Sequence, residues 1–200
     1  MKLLLASRNE KKLGELRRIL LAEGLEGIEV VGLGDVPEFP EAPETEPTFE
    51  GNALAKARDA FRATGLPSVA DDSGIAVDAL NGMPGVLSAR WSGRHGDDLA
   101  NTELVLGQLR DVPDERRGGA FVCAAAFVSA DEEVVVRGEW RGSITREPRG
   151  GNGFGYDPVF RPEGHDVTSA ELSPEEKDAL SHRGRALRQL LPHLRALAQG

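Results

Sequence analysis

Apolar residues along this chain recur in two periods, and the alternation between them sets the expected fold. Leu3-Leu4-Leu5-Ala6 is a short continuous apolar run, the pattern of a buried strand. From about Glu10 to Glu23 the spacing turns helical, with Leu13, Leu16, Ile19 and Leu20 on one face. Ile28-Glu29-Val30-Val31 reads as a second strand. The segment from Pro37 to Pro47, rich in proline and glutamate, reads as irregular and solvated. An alanine-rich helix is expected from about Pro47 to Ala63. Ser68-Val69-Ala70 is a strand ending at Asp71-Asp72-Ser73-Gly74, with Ile75-Ala76-Val77 continuing it or pairing beside it. Asp97 caps a third helix over about 98 to 110. Two long β-type runs, 119–129 and 133–140, flank Ala130-Asp131-Glu132 and predict a hairpin. Ser173-Pro174-Glu175-Glu176 is a helix start, with Ser at the N-cap, Pro at the first position and Glu at the third. A last helix is expected from about Arg183 to Ala198, bent at Pro192. The sum is an α/β protein with a mixed sheet, because a long hairpin interrupts the strand–helix alternation.

Composition narrows the class. Two hundred residues, 40% hydrophobic and 28% charged, fit a single domain with a sizeable core. The formal net charge of −9 argues against nucleic acid as a partner, which requires a basic surface. It leaves room for a small anionic substrate in a locally basic pocket. Cys123 is the single cysteine and lies in the apolar run 120–128, so it reads as a buried thiol that packs as a small hydrophobe. No apolar run is long enough to span a bilayer, and the N-terminal run is too short for a signal peptide. The expectation is a cytoplasmic protein without a membrane partner.

Several stretches carry candidate chemistry. Gly150-Gly151-Asn152-Gly153-Phe154-Gly155-Tyr156-Asp157-Pro158 places two aromatics and a carboxylate on a glycine-rich loop, in a chain only 5% aromatic. Such a loop suits stacking on a base; a tight turn whose aromatics fill the core satisfies the same pattern. Ser7-Arg8-Asn9-Glu10-Lys11-Lys12 lies between the first strand and first helix, where backbone N–H groups and the helix dipole favour anions. Cations at this end oppose the dipole, which points to an anionic visitor; the competing reading is an Asn9 cap followed by a solvated turn. Asp71 and Asp72 stand at a strand end, where carboxylates hold Mg²⁺ and orient water, or form a simple Asx turn. Neighbours on a regular strand face opposite ways, so one aspartate faces the site, and the sequence leaves open which. Among Glu41, Glu44, Glu46 and Glu50, one is available as a second metal ligand within an otherwise solvated acidic stretch. Lys177 and Ser181-His182-Arg183-Gly184 offer donors, with capping or packing as the alternative for His182. His95, His165 and His193 show no zinc spacing.

In order along almost the whole chain, these pieces resemble the inosine triphosphate pyrophosphatase family, also described as dITP/XTP or deaminated-purine nucleoside triphosphate pyrophosphatases. The resemblance rests on Ser7-x-Asn9-x-x-Lys12, Thr48-Phe49 with Asn52-Ala53 and Lys56-Ala57, and Ala70-Asp71-Asp72-Ser73-Gly74. It extends to Pro84-Gly85 with Ser88-Ala89-Arg90, Gly153 to Pro158, Ala170-Glu171-Leu172, Glu176-Lys177 and Ser181 to Gly184. It implies a two-lobed α/β fold, a central elongated mixed sheet flanked by helices, and an active site in the cleft between the lobes. It also implies a homodimer, a Mg²⁺ requirement, and hydrolysis of ITP, dITP and XTP to the monophosphate and pyrophosphate. By position, Asp72 is implied as general base and metal ligand, with Glu44 as the second metal ligand. Ser7, Arg8, Asn9, Glu10, Lys11 and Lys12 are implied around the phosphates, with Lys56 assisting and Ser73 beside the substrate. Phe154, in a loop continued by Gly155 and Tyr156, is implied to stack on the purine, and Asp157 to accept from its N–H. Lys177, His182 and Arg183 are implied to read the 6-oxo edge. One position departs from the family pattern: an acidic residue often precedes the asparagine matching Asn52, and here that position is Gly51.

The implied chemistry agrees with the residues. In-line attack of water on the α-phosphorus needs charge neutralisation and a base, which lysines, Mg²⁺ and a carboxylate supply. Donors at the purine edge accept O6 and reject the amino group of adenine. A Maf-type nucleotide pyrophosphatase and a non-catalytic nucleotide sensor are the alternative functions.

Overall fold

The structure, a computed structural model, describes every residue except Glu26, Ala42 and Gly200. Its strands are β1 (Lys2–Leu5), β2 (Glu29–Val31), β3 (Ser68–Val77), β4 (Gly118–Val128), β5 (Glu133–Ile144) and β6 (Phe160–Pro162). Its α-helices are α1 (Glu10–Ala22), α2 (Phe49–Thr64), α3 (Asp98–Gln108), α4 (Pro174–Leu180) and α5 (His182–Gln199). The six strands form one mixed sheet in the order β2-β1-β3-β4-β5-β6. Strand β1 is parallel to β2, with Leu3 opposite Val30, and parallel to β3, with Leu5 opposite Val69. Strands β5 and β6 are antiparallel, with Ser143 opposite Arg161. The mixed α/β class expected from the pattern is therefore observed.

Contacts divide the chain into two compact units. The first comprises Met1–Asp72, Cys123–Gly138 and Arg183–Gly200; the second comprises Ser73–Val122 and Glu139–His182. Each unit has its own core. In the first, Leu3, Leu5 and Val69 pack with Leu13, Leu16 and Ile19 of α1, Phe127 of β4, and Leu187, Leu190 and Leu194 of α5. In the second, Ile75 and Val77 pack with Val105 and Leu109 of α3, and with Phe121, Trp140, Tyr156 and Phe160.

Local chemistry sets most element ends. Asn9 caps α1, its Oδ1 accepting from the N–H groups of Lys11 and Lys12. Thr48 caps α2, and Gly65 closes it in the left-handed conformation at φ 69°. Asp97 caps α3 through the N–H of Ala100, as expected. Ser173 and Glu176 form the predicted capping box of α4. The hairpin between β4 and β5 turns where Ser129 N–H donates to Glu132 O at 2.9 Å.

Two expectations change. Strand β3 does not stop at Asp71 but runs unbroken to Val77, and all but Ser73 and Ala76 of its residues are buried. Continuous burial on both faces stabilises a long central strand even with two carboxylates in it. The short strand β6 was not anticipated, because Phe160-Arg161-Pro162 is too brief to show a period.

Cys123 lies in the first core, fully buried, and burial together with the nearby Asp71 carboxylate pushes its thiol up to about 12. Alkylation requires the thiolate, whose ordinary pKa is about 8.5 in an unfolded chain. We therefore expect iodoacetamide at pH 8 to leave Cys123 unmodified in the native protein and to label it fully in denaturant, as read by mass spectrometry.

Candidate active site

Strand β3 delivers two adjacent carboxylates to opposite faces of the sheet, as the period of two requires. Asp71 faces α1 and α5. Its Oδ2 accepts from Lys12 Nζ at 2.8 Å and from Arg183 Nε at 3.3 Å. Arg183 also reaches Glu15 Oε2 through Nη1 at 2.7 Å. Glu15, Asp71 and Arg183 are all almost fully buried. Burial raises the Asp71 carboxyl, but Lys12, Arg183 and Lys56 overcome it and hold the group well below the usual carboxylate range. Asp71 is thus a permanently charged structural anchor.

Asp72 faces α2 and has a different environment. Its Oδ2 accepts from Asn52 Nδ2 at 2.9 Å, and its Oδ1 lies 3.7 Å from Lys56 Nζ. Burial raises its pKa, reinforced by the negative charges of Glu44 and Asp71 and only partly offset by Lys56 and Asn52. Neighbouring carboxylates driven in opposite directions are the arrangement that separates a base from a bystander. The sequence left open how the two differ; the structure lowers Asp71 and raises Asp72.

Lys56 lies between carboxylates. Its Nζ is 2.9 Å from Glu44 Oε1 as well as near Asp72. Burial lowers its pKa, but Asp72, Asp71 and Glu44 outweigh this and raise it, so the ammonium stays charged. Among the described residues no group of three or more His, Cys, Asp or Glu side chains is arranged to hold a metal. Two carboxylates converging on one cation nevertheless fit Mg²⁺, which takes one or two carboxylates and fills its shell with water and phosphate oxygens. Asp72 and Glu44 can hold such an ion; an all-protein cage is not present among the described residues.

The turn from β1 into α1 is preorganised by its own side chains. Ser7 Oγ accepts from Asn9 N–H at 3.1 Å, and Asn9 Oδ1 caps the helix. Arg8 is exposed and bonds Glu41 through Nε at 2.8 Å and Nη2 at 2.7 Å, so the proline-rich segment is tied to this turn. Glu10 and Lys11 are exposed and Lys12 half-buried. A hollow of about 770 Å³ in the same unit is lined by Arg17, Leu20, Leu25 and Ile28, and shares no residue with the carboxylate set. Volume alone does not locate the chemistry.

In the second unit the glycine-rich loop is built around Asp157, which is 1% exposed. Its Oδ2 accepts from Phe154 N–H at 2.8 Å and from Lys177 Nζ at 2.5 Å, and its Oδ1 accepts from Ser169 Oγ at 2.8 Å. Gly153, at φ 74°, is needed here: a Cβ would collide with the Asp157 carboxylate. Lys177 Nζ also stands 4.9 Å from the centroid of the Phe154 ring, a cation–π contact. Gly155 N–H donates to Asp98 Oδ2 at 2.8 Å. Tyr156 is buried and donates its hydroxyl to Ser88 O at 2.7 Å. The loop is therefore neither a plain turn nor a free flap. Phe154 and Lys177 are brought together, whereas the Asp157 carboxylate faces inward and holds them.

His182 and Arg183 adjoin in sequence, yet each is buried among its own unit's residues. His182 stacks on Phe121 with ring centroids 4.8 Å apart and planes at 13°. Ser73 follows Asp72 on β3 and is half-buried.

Comparison with known proteins matches the chain to a family. The model of the Ham1 family matches residues 3–193. The chain belongs to the Ham1 family. A dITP/XTP pyrophosphatase of Mycobacterium tuberculosis (strain ATCC 25618 / H37Rv) is 71% identical over 199 residues, covering 100% of this chain and 98% of that protein. One from Nocardia farcinica (strain IFM 10152) is 69% identical over 198 residues, covering 98% of this chain and 96% of that protein. Among solved structures, the nucleoside-triphosphatase / dITP/XTP pyrophosphatase of Mycobacterium abscessus has a TM-score of 0.77 at 67% identity, covering 97% of this chain and all (100%) of that one. A HAM1 protein from Coxiella burnetii has a TM-score of 0.86 at 41% identity, with 100% of both chains covered.

Several residues of this Ham1 chain that hold the candidate site together were given no role from the sequence. Glu15 left a trace, since it is an acid among the buried positions of α1. Asn52 left a weaker one, a polar residue on the alanine-lined face of α2. Ser169 and Asp98 left none, because their partners lie 12 and 57 residues away.

The Lys177–Asp157 pair is nearly removed from water, with side chains 7% and 2% exposed. Removing one partner of such a pair costs about 3–5 kcal/mol. Asp157→Ala is therefore expected to lower the unfolding free energy by about 3 kcal/mol, and Lys177→Met in that background to recover part of the loss, both measured by denaturant unfolding.

Proposed function

We propose that this protein hydrolyses dITP, ITP and XTP to the nucleoside monophosphate and pyrophosphate, removing deaminated purines from the nucleotide pool. The reading includes a Mg²⁺ requirement, a homodimeric state and a cytoplasmic location. Among the described residues no helix is long and apolar enough to cross a membrane. Support comes from the Ham1 membership, from relatives named dITP/XTP pyrophosphatases, and above all from Asp72. It is a nearly buried carboxylate with a raised pKa, standing beside Lys56 and Glu44.

Asp72 acts as the general base, taking the proton from the water that attacks the α-phosphorus. A raised pKa makes its carboxylate a better proton acceptor than an exposed one. Asp72 and Glu44 would hold Mg²⁺, which would supply charge neutralisation at the phosphates. Lys12, Lys56 and the capped turn of Ser7 to Asn9 orient the triphosphate, with Arg8, Glu10 and Lys11 at its margin and Ser73 beside it. Arg8 and Lys56 are held by Glu41 and Glu44 in this structure, so phosphate oxygens exchange with carboxylates rather than meeting bare cations.

Purine selection is assigned to the second set. Phe154 stacks on the base, with Gly155 and Tyr156 fixing its loop. Lys177, His182 and Arg183 present donors to the 6-oxo edge. Asp157 is assigned to holding Phe154 and Lys177 in place, because its oxygens already accept from both. A site of buried donors rejects adenine strongly, since an amino group leaves them unpaired.

The deciding measurement is turnover with Mg²⁺ on ITP and XTP against ATP and GTP, with the released phosphate identified. Monophosphate and pyrophosphate from the deaminated purines alone is the expected result. Orthophosphate as product, or binding without turnover, would replace this reading with another hydrolysis or a sensor. Asp72→Asn is expected to abolish turnover with the fold retained by circular dichroism, and Phe154→Ala to raise KM at least several-fold.

A further inference from the structure

We infer that Asn52 is a positioning residue for Asp72, set in orientation by a backbone contact that Gly51 permits. The inference rests on the reading of Asp72 as the base. Asn52 lies in the first turn of α2 and is 2% exposed. Its Oδ1 accepts from the Glu46 N–H at 3.0 Å, and its Nδ2 donates to Asp72 Oδ2 at 2.9 Å and to Glu46 O at 3.4 Å. A backbone N–H only donates, so the amide oxygen must face Glu46 and the NH₂ group must face Asp72. The ambiguity of an amide flip is removed by its own neighbours.

This fixes the carboxylate as well. Asp72 Oδ2 is committed to Asn52, and Oδ1 is turned to the side where Lys56 and Glu44 lie. Tilting the carboxylate out of this plane breaks the Asn52 bond. Asn52 therefore fixes the plane of the carboxylate and the direction in which its second oxygen points, toward Lys56.

Gly51 makes the arrangement possible. A Cβ at this position would lie 2.8 Å from Glu46 Cβ and 3.0 Å from its Cγ, closer than nonbonded carbons approach. It would also lie 3.2 Å from Glu46 Oε2. The Glu46 side chain thus covers the spot from which an acidic side chain at position 51 would start. The departure of Gly51 from the family pattern is structural: the missing side chain lets Glu46 close against α2, and Glu46 then orients Asn52.

The test uses Asn52→Asp, Gly51→Ala and Gly51→Ala/Glu46→Gly in the full chain, with Asp72→Asn in parallel. Asn52→Asp keeps an acceptor for the Glu46 N–H but loses the donor to Asp72. Loss of such an orienting contact costs about 10–100-fold. Asn52→Asp should therefore lose kcat on ITP by about tenfold or more with KM within about twofold. Gly51→Ala, with Asn52 chemically intact, should lower kcat in the same direction, and the added Glu46→Gly should restore most of it by removing the clash. In metal-free buffer, the denaturant midpoints of Asn52→Ala, Asp72→Ala and the double variant should be non-additive. Wild-type kcat in Asn52→Asp while Asp72→Asn is silent overturns the positioning role alone, as do additive midpoints. Failure of Glu46→Gly to rescue overturns the part assigned to Gly51. Turnover by Asp72→Asn overturns both this inference and the reading of the base beneath it.

Discussion

The buried ion network of Asp71, Lys12, Arg183 and Glu15 is the constraint on which the first unit depends. It joins β3 to the N-terminal half of α1 and to the start of α5 through bonds of 2.7 to 3.3 Å. Two acids face two bases, so the cluster is internally neutral, which is the condition under which buried charges are tolerated. Such a cluster stabilises the fold less than it specifies it, because each partner removed leaves a charge uncompensated. It also holds Lys12, in the first turn of α1, in a fixed place.

That network has a consequence one residue away. With Asp71 locked as an anion, its negative charge helps to raise Asp72, and the strand period turns Asp72 to the opposite side of the sheet. A continuous strand is therefore functional: had β3 ended at Asp71, the two carboxylates would have shared a turn and a common environment. Burial of β3 on both faces keeps them apart in direction while they remain adjacent in sequence.

The second unit uses the same device for a different end. Asp157 is buried so that its oxygens can gather Phe154, Lys177 and Ser169, and a glycine without a side chain makes the room. An aromatic face and an ammonium are thereby offered as one rigid element. Rigid placement of this kind lowers the ordering cost of any contact these groups make.

The sequence by itself determined the α/β class, most helix limits and the family. Caps, apolar periods and turn residues are local, so Asn9, Asp97 and Ser173 announced their helices directly. The ordered motifs marked the family to which the chain belongs. Tertiary structure decided which aspartate is held low and which is raised, because the answer lies in Lys12, Arg183, Asn52 and Lys56, brought in from three separate helices. It also decided that Asp157 faces its own loop and that Gly51 serves packing. Those facts depend on what stands opposite a side chain in space, which a one-dimensional pattern does not encode.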